Sequence, residues 1–149
     1  MLELIIIPII VGFITQAIKL IIDGIPNNFN WQHMIGDYGG MPSSHTAFVA
    51  SLVTVVGISQ GINSATFAIA LVLLAVVARD ALGFRTEIGK NAQFTNLVAK
   101  QVFKNKKASY LNEKMGHTLL EVTIGLLTGV ILSLIIYPAY LYLVVKYLA

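Results

Sequence analysis

The sequence predicts an all-α integral membrane helix bundle, with about four transmembrane helices plus an amphipathic interfacial helix, in a single domain over residues 1–149. Of its 149 residues, 56% are hydrophobic and 11% are charged, whereas about 25% of the residues of a soluble domain are charged. Four apolar runs approach the ~20 residues with which a helix crosses a hydrocarbon core of ~30 Å. Because the chain has no cysteine, disulfides and thiolate metal sites are excluded.

The apolar runs divide the chain into spans and links. We predict spans at residues 4–22, 44–59, 64–79 and 115–137. The first run lacks a basic head and a small-residue cleavage site, so we expect it to be a retained span. The short link at residues 60–63 predicts an antiparallel helical hairpin between spans two and three. The link at residues 23–41, rich in Gly, Pro and Asn, predicts a loop.

Two segments outside the spans also have a predicted structure. Between Glu87 and Lys104, apolar residues recur at helical spacing among polar ones. This pattern predicts an amphipathic helix at the membrane surface. Near the other end of the chain, Pro138 is expected to kink or end the fourth span, and residues 139–149 are too short to cross alone.

The basic residues predict the orientation of the bundle in the cell membrane. Seven of the ten Lys and Arg residues lie in the link between spans three and four, namely Arg85, Lys90, Lys100, Lys104, Lys106, Lys107 and Lys114. By the positive-inside rule, this link is cytoplasmic. The plainer role of the four central lysines is contact with anionic lipid. The hairpin connections then bring polar residues at the ends of all four spans to the cytoplasmic side, where we expect one active site.

Residues 39–47, with the sequence Gly-Gly-Met-Pro-Ser-Ser-His-Thr-Ala, form a motif at the start of span two. Gly40 lets the backbone approach a ligand, and the uncompensated N–H groups of a helix N-terminus attract anions such as phosphate. Ser43 or Ser44 suits the capping position, and His45 adds a titratable group. The plainer interpretation of this motif alone is an ordinary helix start that a His happens to follow.

Residues 79–90 concentrate charges of both signs around two glycines. In one uninterrupted helix, Arg79 and Lys90 would share a face with Asp80 beside it, while Arg85 would point elsewhere. A break at Gly83 is therefore needed to bring Arg85 to the same centre. Arg79 alternatively marks only the membrane interface.

Three more polar residues lie near the ends of the first and fourth spans. His117 and Glu121 are four residues apart, which predicts a shared helical face and a carboxylate that orients the imidazole. The alternative is a neutral His packed against a structural Glu. Lys19 is costly in hydrocarbon, ~2.5 to 3.5 kcal/mol at a helix centre and less near an end, so it should face the bundle interior or snorkel to the interface.

Together these blocks resemble the divergent branch of the type 2 phosphatidic acid phosphatase superfamily, which is related to the vanadium haloperoxidases. The resemblance spans nearly the whole chain and rests on residues 39–47, 79–90 and 116–121. It implies a metal-independent phosphatase that acts on lipid phosphates or diphosphates without a cofactor, with vanadate as a mimic of pentacoordinate phosphorus. Carried over to this chain, it implies His117 as the nucleophile, Glu121 as its carboxylate and His45 as the general acid.

The chain also departs from the superfamily pattern. Ser44 replaces a Gly, Glu121 replaces an Asp, and Leu111 stands where the later block has an Arg. No block of Lys, six residues and Arg-Pro precedes the motif, since Lys19 is followed at that distance by Pro26 without the Arg. Four spans in place of the common six would fit a homo-oligomer in which a second copy completes the bundle.

These observations lead us to expect a membrane lipid phosphatase with a phosphohistidine intermediate. Its partners would be a lipid phosphate and membrane lipids, and no nucleic acid. The expected phosphate-binding groups are Lys19, Arg79, Arg85, Lys90, Asp80, Ser43, Ser44 and the backbone near Gly40. One alternative is a non-catalytic lipid-phosphate-binding membrane protein. Another is a transporter, which the apolar far halves of the spans disfavour.

Overall fold

The computed structural model describes residues 1–23, 40–103 and 111–148, and within these ranges all regular secondary structure is helical. The expected loop at residues 23–41 therefore lies almost wholly outside the described residues, as do Lys104, Lys106 and Lys107. The described helices are α1 (Glu3–Asp23), α2 (Ser44–Gln60), α3 (Ala65–Leu82), α4 (Phe84–Val102) and α5 (Leu119–Leu148).

The apolar helices confirm the predicted membrane bundle. By length and composition, α1, α3 with its continuation into α4, and α5 are long and apolar enough to cross a membrane. With 17 residues, α2 is ~25 Å long and is the shorter apolar helix of the set. α4 is the predicted amphipathic helix, since Phe84, Phe94 and Val102 are exposed while its opposite face is buried.

Helix α2 lies at the centre and packs against α1, α3 and α5. Its buried residues are Thr46, Ala47, Val49, Ala50, Ser51, Val55 and Val56, most of them small or β-branched. A helix that is apolar on several sides is typical of a buried position. By contrast, α3 buries only Ala70 and Ala81 along its length, so most of its apolar surface is left to face lipid.

Small residues let α5 approach α2 closely. A Cβ atom built on Gly125 would lie 2.5 Å from the carbonyl oxygen of Ser43, and one on Gly129 would overlap the carbonyl oxygen of Ala47. One turn further, the Ser133 hydroxyl donates to Ser51 Oγ at 2.6 Å, with both side chains fully buried. The small-xxx-small pair at Gly125 and Gly129 therefore serves helix packing.

The fourth span differs from the prediction at both ends. It begins at Leu119 rather than near Met115, because Gly116 adopts a φ of +89° and Thr118 precedes the first helical turn. It also continues through Pro138 to Leu148, so of the two outcomes expected at Pro138, a kink or a helix end, the helix end does not occur. Proline is tolerated inside membrane helices where neighbouring groups satisfy the freed carbonyl, and α1 likewise contains Pro8.

The break expected at Gly83 is confirmed. Helix α3 ends at Leu82, α4 begins at Phe84, and Gly83 lies between them with φ −106° and ψ −86°. The Gly83 N–H still donates to the Arg79 carbonyl at 2.8 Å. The irregular ψ of Gly83 thus interrupts the helix between Asp80 and Arg85.

We predict that Gly129→Ala destabilises the bundle by ~1 to 3 kcal/mol, because the added methyl group would press on the backbone of α2. The measurement is the free energy of unfolding in detergent micelles. Gly57→Ala is the matched control, since its added Cβ would meet the Phe67 side chain at 3.1 Å, which can shift more easily than backbone. Equal stability of the two variants would contradict the proposed contact.

Candidate active site

A cavity of about 100 Å³ opens where α2 begins and α3 ends. Polar and apolar groups share its lining, which consists of Ser43, His45, Phe48, Val49, Val77, Asp80, Ala81, Arg85 and His117. Residues from all three sequence blocks therefore meet at one place. In particular, His45 and His117 line the same cavity.

The chain that delivers His117 to this cavity has no regular secondary structure. The backbone N–H of His117 donates to the Ala81 carbonyl at 3.0 Å, which ties it to the end of α3. Just before it, Gly116 lies against Thr86, where a Cβ would fall 2.5 Å from the Thr86 hydroxyl. Only glycine combines that close approach with a positive φ, so this residue holds His117 at the junction of α3 and α4.

The His117 imidazole is buried and has no hydrogen-bond partner among the described residues. His117 is 8% exposed, and neither Nδ1 nor Nε2 of its ring has a hydrogen-bond partner within the described ranges. Buried polar atoms are paired in the large majority of cases. His117 is therefore an exception to this pattern, and it lies at the lining of the cavity.

The surroundings of His117 keep it neutral at physiological pH. Its pKa is lowered from 6.5 to about 4, first by burial and then by the positive charge of Lys19. The Glu121 carboxylate acts in the opposite direction, while His45 and Arg85 lower the pKa further. A neutral imidazole has the free lone pair that a nucleophile needs.

Glu121 does not have the geometry that the sequence predicted. His117 precedes α5, so the two residues do not share a helical face. Instead, Glu121 Oε2 accepts a hydrogen bond from the Thr118 N–H at 2.8 Å, and Thr118 Oγ1 accepts one from the Glu121 N–H at 3.3 Å. This reciprocal pair is a capping box, and it fixes the helix start directly after His117.

Arg85 and Asp80 form an ion pair at the cavity. Arg85 Nε donates to Asp80 Oδ2 at 2.5 Å, and their side chains are 21% and 38% exposed. The contact joins the first turn of α4 to the last turn of α3 across the break at Gly83. The carboxylate thus holds the guanidinium in place.

The first span contributes Lys19 and Gln16 beside the cavity. Lys19 is 7% exposed, so it is buried in the bundle rather than snorkelled to the interface. Its charge acts on the His117 imidazole. One turn before it, Gln16 Oε1 accepts a hydrogen bond from Ser44 Oγ at 2.9 Å, which joins α1 to the motif at the start of α2.

The serines and the glycine of this motif have different surroundings. Ser43 is the capping residue of α2, but its hydroxyl pairs with Thr46 Oγ1 at 2.9 Å and not with a helix N–H. Its backbone N–H donates to the Glu121 carbonyl at 3.2 Å. Gly40 has a φ of +134°, which non-glycine residues rarely adopt. These contacts set the start of α2 against the start of α5.

Two predicted phosphate-binding residues lie away from the cavity. Arg79 is exposed and does not line it. Lys90 donates to Glu87 Oε1 at 2.8 Å in a surface pair whose side chains are 64% and 66% exposed. Both residues lie on the outer surface of the α3–α4 segment, so the cation that lines the cavity wall is Arg85.

Sequence reasoning missed the residues that shape the cavity without charge. Phe48 and Val77 form its apolar wall, and the Ala81 carbonyl anchors His117. Nothing in their residue types distinguishes them from other apolar residues of a span. The capping box could have been predicted from the sequence, since Thr118 and Glu121 have the spacing that this motif requires.

A metal-binding cluster is absent from residues 1–23, 40–103 and 111–148, where no three His, Asp or Glu side chains come together closely enough to hold an ion. The polar groups of the cavity lining are two imidazoles, a hydroxyl, and a guanidinium that is paired with the Asp80 carboxylate. Such a set of groups is suited to an oxyanion.

These features define a small, multi-pass, all-helical membrane protein with a two-histidine cavity between its helices. The chain belongs to the divergent PAP2 family, whose sequence model matches residues 2–132. It is 31% identical over 135 residues to YuiD, an uncharacterized membrane protein of Bacillus subtilis (strain 168), with 81% of this chain and 85% of the relative covered. No solved structure matches the chain. The expected family is thus confirmed.

We predict that His117 titrates far below the usual range of histidine. The NMR signals of its ring in detergent micelles should shift as the pH falls through about 4, because the buried imidazole stays neutral above that value. In Lys19→Met the pKa of His117 should rise but remain below 6.5, since burial is the larger cause. A wild-type transition near 6.5 would contradict the buried environment.

Proposed function

We propose that this protein is a membrane lipid phosphatase that hydrolyses a lipid phosphomonoester or diphosphate through a phosphohistidine intermediate. The observation that carries the proposal is the buried, neutral His117, which lines a cavity shared with His45 and Arg85 and whose ring nitrogens have no hydrogen-bond partner among the described residues. A second imidazole and a fixed cation beside a nucleophile are the groups that phosphoryl transfer requires.

The reaction has two steps. A ring nitrogen of His117 attacks phosphorus, and an N–P bond forms as the P–O bond to the leaving group breaks. His45 gives its proton to the departing oxygen. His45 then takes a proton from a water molecule, whose oxygen attacks the phosphohistidine, and phosphate leaves with His117 restored. The protein regains its starting protonation state without a metal or redox partner.

Positive charge near the cavity supports binding of the phosphoryl oxygens. Arg85 lines the cavity wall, and Asp80 holds its guanidinium in place. Lys19 is buried close enough for its charge to act on His117. We assign both residues to stabilising the negative charge of the transition state, in which preorganised cations act most strongly when water is excluded. We place Arg79 and Lys90 outside this machinery.

The apolar part of the cavity fits a lipid substrate. Phe48 and Val49 of α2 face Val77 and Ala81 of α3 across the cavity lining. Most of the remaining α3 surface is exposed and apolar, so the wall continues towards the lipid. We place the chain of the substrate between α2 and α3, with its phosphate among the polar groups.

A non-catalytic lipid-phosphate-binding protein is the second candidate. One observation favours it: Glu121 belongs to a capping box, and no hydrogen bond within the described residues joins it to His117. An imidazole without an orienting carboxylate is a weaker nucleophile. This candidate predicts tight binding of vanadate or lipid phosphate without release of phosphate from any substrate.

We predict that purified protein in lipid nanodiscs releases phosphate from at least one of phosphatidate, phosphatidylglycerophosphate and a prenyl diphosphate. His117→Ala should lower kcat/KM by ~10³-fold or more, because the covalent step is lost. Arg85→Ala should lower it by ~10²-fold or more, because a fixed cation is lost.

Lys90→Ala is the matched control for Arg85→Ala, since it removes a basic side chain from the same helix outside the cavity. It should retain activity within about twofold of wild type. Equal activity of wild type and His117→Ala would remove the assigned nucleophile. Vanadate binding without turnover of any of the three substrates would favour the non-catalytic candidate.

A further inference from the structure

Asn96 on α4 uses its whole side-chain amide to hold a distant part of the chain. Its Nδ2 donates to the Leu111 carbonyl at 2.9 Å and to Glu113 Oε1 at 2.7 Å, while its Oδ1 accepts from the Leu111 N–H at 2.9 Å. The residue is 7% exposed, and it lies well away from the cavity lining. Three hydrogen bonds from one buried amide hold Leu111 and Glu113 against α4. We call this contact the clip.

The segment held by this clip leads directly to His117. Residues 111–118 form no helix or strand, so few of their backbone groups are paired by secondary structure. Gly89 lets the segment approach α4, since a Cβ there would lie 2.9 Å from the Met115 carbonyl and 3.0 Å from the Glu113 carbonyl. With Asn96 at its start and Thr86 beside Gly116, the segment runs antiparallel to α4.

The segment packs along the buried face of α4. Its buried residues are Gly89, Ala92 and Asn96, which recur at three- and four-residue spacing and so share one helical face. Two of them are too small to obstruct a neighbouring backbone. Asn96 supplies the polar contacts, because its amide pairs with both the N–H and the C=O of Leu111.

We propose that Asn96 is a positioning residue for His117. The clip fixes the start of residues 111–118, Gly89 and Thr86 guide the middle, and the bond from the His117 N–H to the Ala81 carbonyl fixes the end. Without the clip, the segment opens from its start and the buried imidazole gains access to solvent. The geometric part of this inference is independent of the proposed function, whereas its effect on turnover rests on that function.

The clip lies outside the main helix packing of the bundle. The tight contacts between α2 and α5 involve Gly125, Gly129 and Ser133, and α4 is separated from α3 by Gly83. A substitution at Asn96 should therefore loosen the His117 segment while the apolar helices remain packed. Local openings of this kind are common in loops that few other contacts hold.

The experiment compares Asn96→Leu with Asn91→Leu in the full chain in lipid nanodiscs. Asn91 is the matched control because it is an exposed asparagine on the same helix. Diethyl pyrocarbonate modifies neutral imidazoles, and mass spectrometry locates the modified histidine. We expect His117 to react about tenfold faster in Asn96→Leu than in wild type, with the rate at the exposed His45 unchanged within about twofold. Asn91→Leu should match wild type at both residues.

Two further measurements separate an effect on the position of His117 from general unfolding of the protein. Glu113→Gln keeps an oxygen acceptor for Asn96 and should leave the His117 rate within about twofold of wild type. On a lipid substrate that wild type hydrolyses, Asn96→Leu should lower kcat about tenfold with KM within about twofold.

Each outcome decides one claim. An unchanged His117 rate in Asn96→Leu overturns the proposal, as does equal acceleration at His45 and His117, because that result would indicate general unfolding. Faster modification of His117 alone supports the clip. If wild type hydrolyses no lipid phosphate, the proposed function fails, and the modification rates still decide the role of Asn96.

Discussion

The close contact between α2 and α5 is the constraint on which the rest of the structure depends. Gly125 and Gly129 remove the side chains that would separate the two backbones, so the start of α5 lies against the start of α2. The Ser43 N–H then reaches the Glu121 carbonyl. His45 follows Ser43 and His117 precedes Glu121 by a few residues, so this contact brings the two imidazoles to the same end of the bundle. Helices α1 and α3 pack against α2 beside this contact.

Burial and charge balance explain how a small cavity can hold reactive groups in a membrane protein. Desolvation disfavours the charged imidazolium and keeps His117 neutral, while Lys19 and Arg85 provide positive charge nearby. Asp80 partly offsets Arg85, so the cavity does not concentrate unpaired cations at the membrane edge. Isolated charges of that kind are costly in hydrocarbon. In the proposed function, this positive charge would stabilise a bound phosphate.

The fold was largely predictable from the sequence, and the site was predictable only in part. Apolar run lengths set out the helices, and the need for a break at Gly83 followed from helical periodicity. The start of α5 was missed although the spacing of Thr118 and Glu121 indicates a capping box there, and with it the prediction of a shared face for His117 and Glu121 was wrong. The clip at Asn96 joins residues 15 positions apart across a link without periodicity, so no local pattern indicates it. Phosphate binding and catalysis stay predictions.

The central claim is that one phosphoryl group sits between the ring nitrogens of His45 and His117. A structure of the protein with bound orthovanadate tests it most directly, because vanadate adopts the pentacoordinate geometry of the transition state. We expect a bond from a His117 ring nitrogen to vanadium. His45 should lie within hydrogen-bond distance of the opposite apical oxygen, and Arg85 should contact an equatorial oxygen. Vanadate bound away from both imidazoles would contradict the proposed mechanism, whereas the description of the membrane fold would still hold.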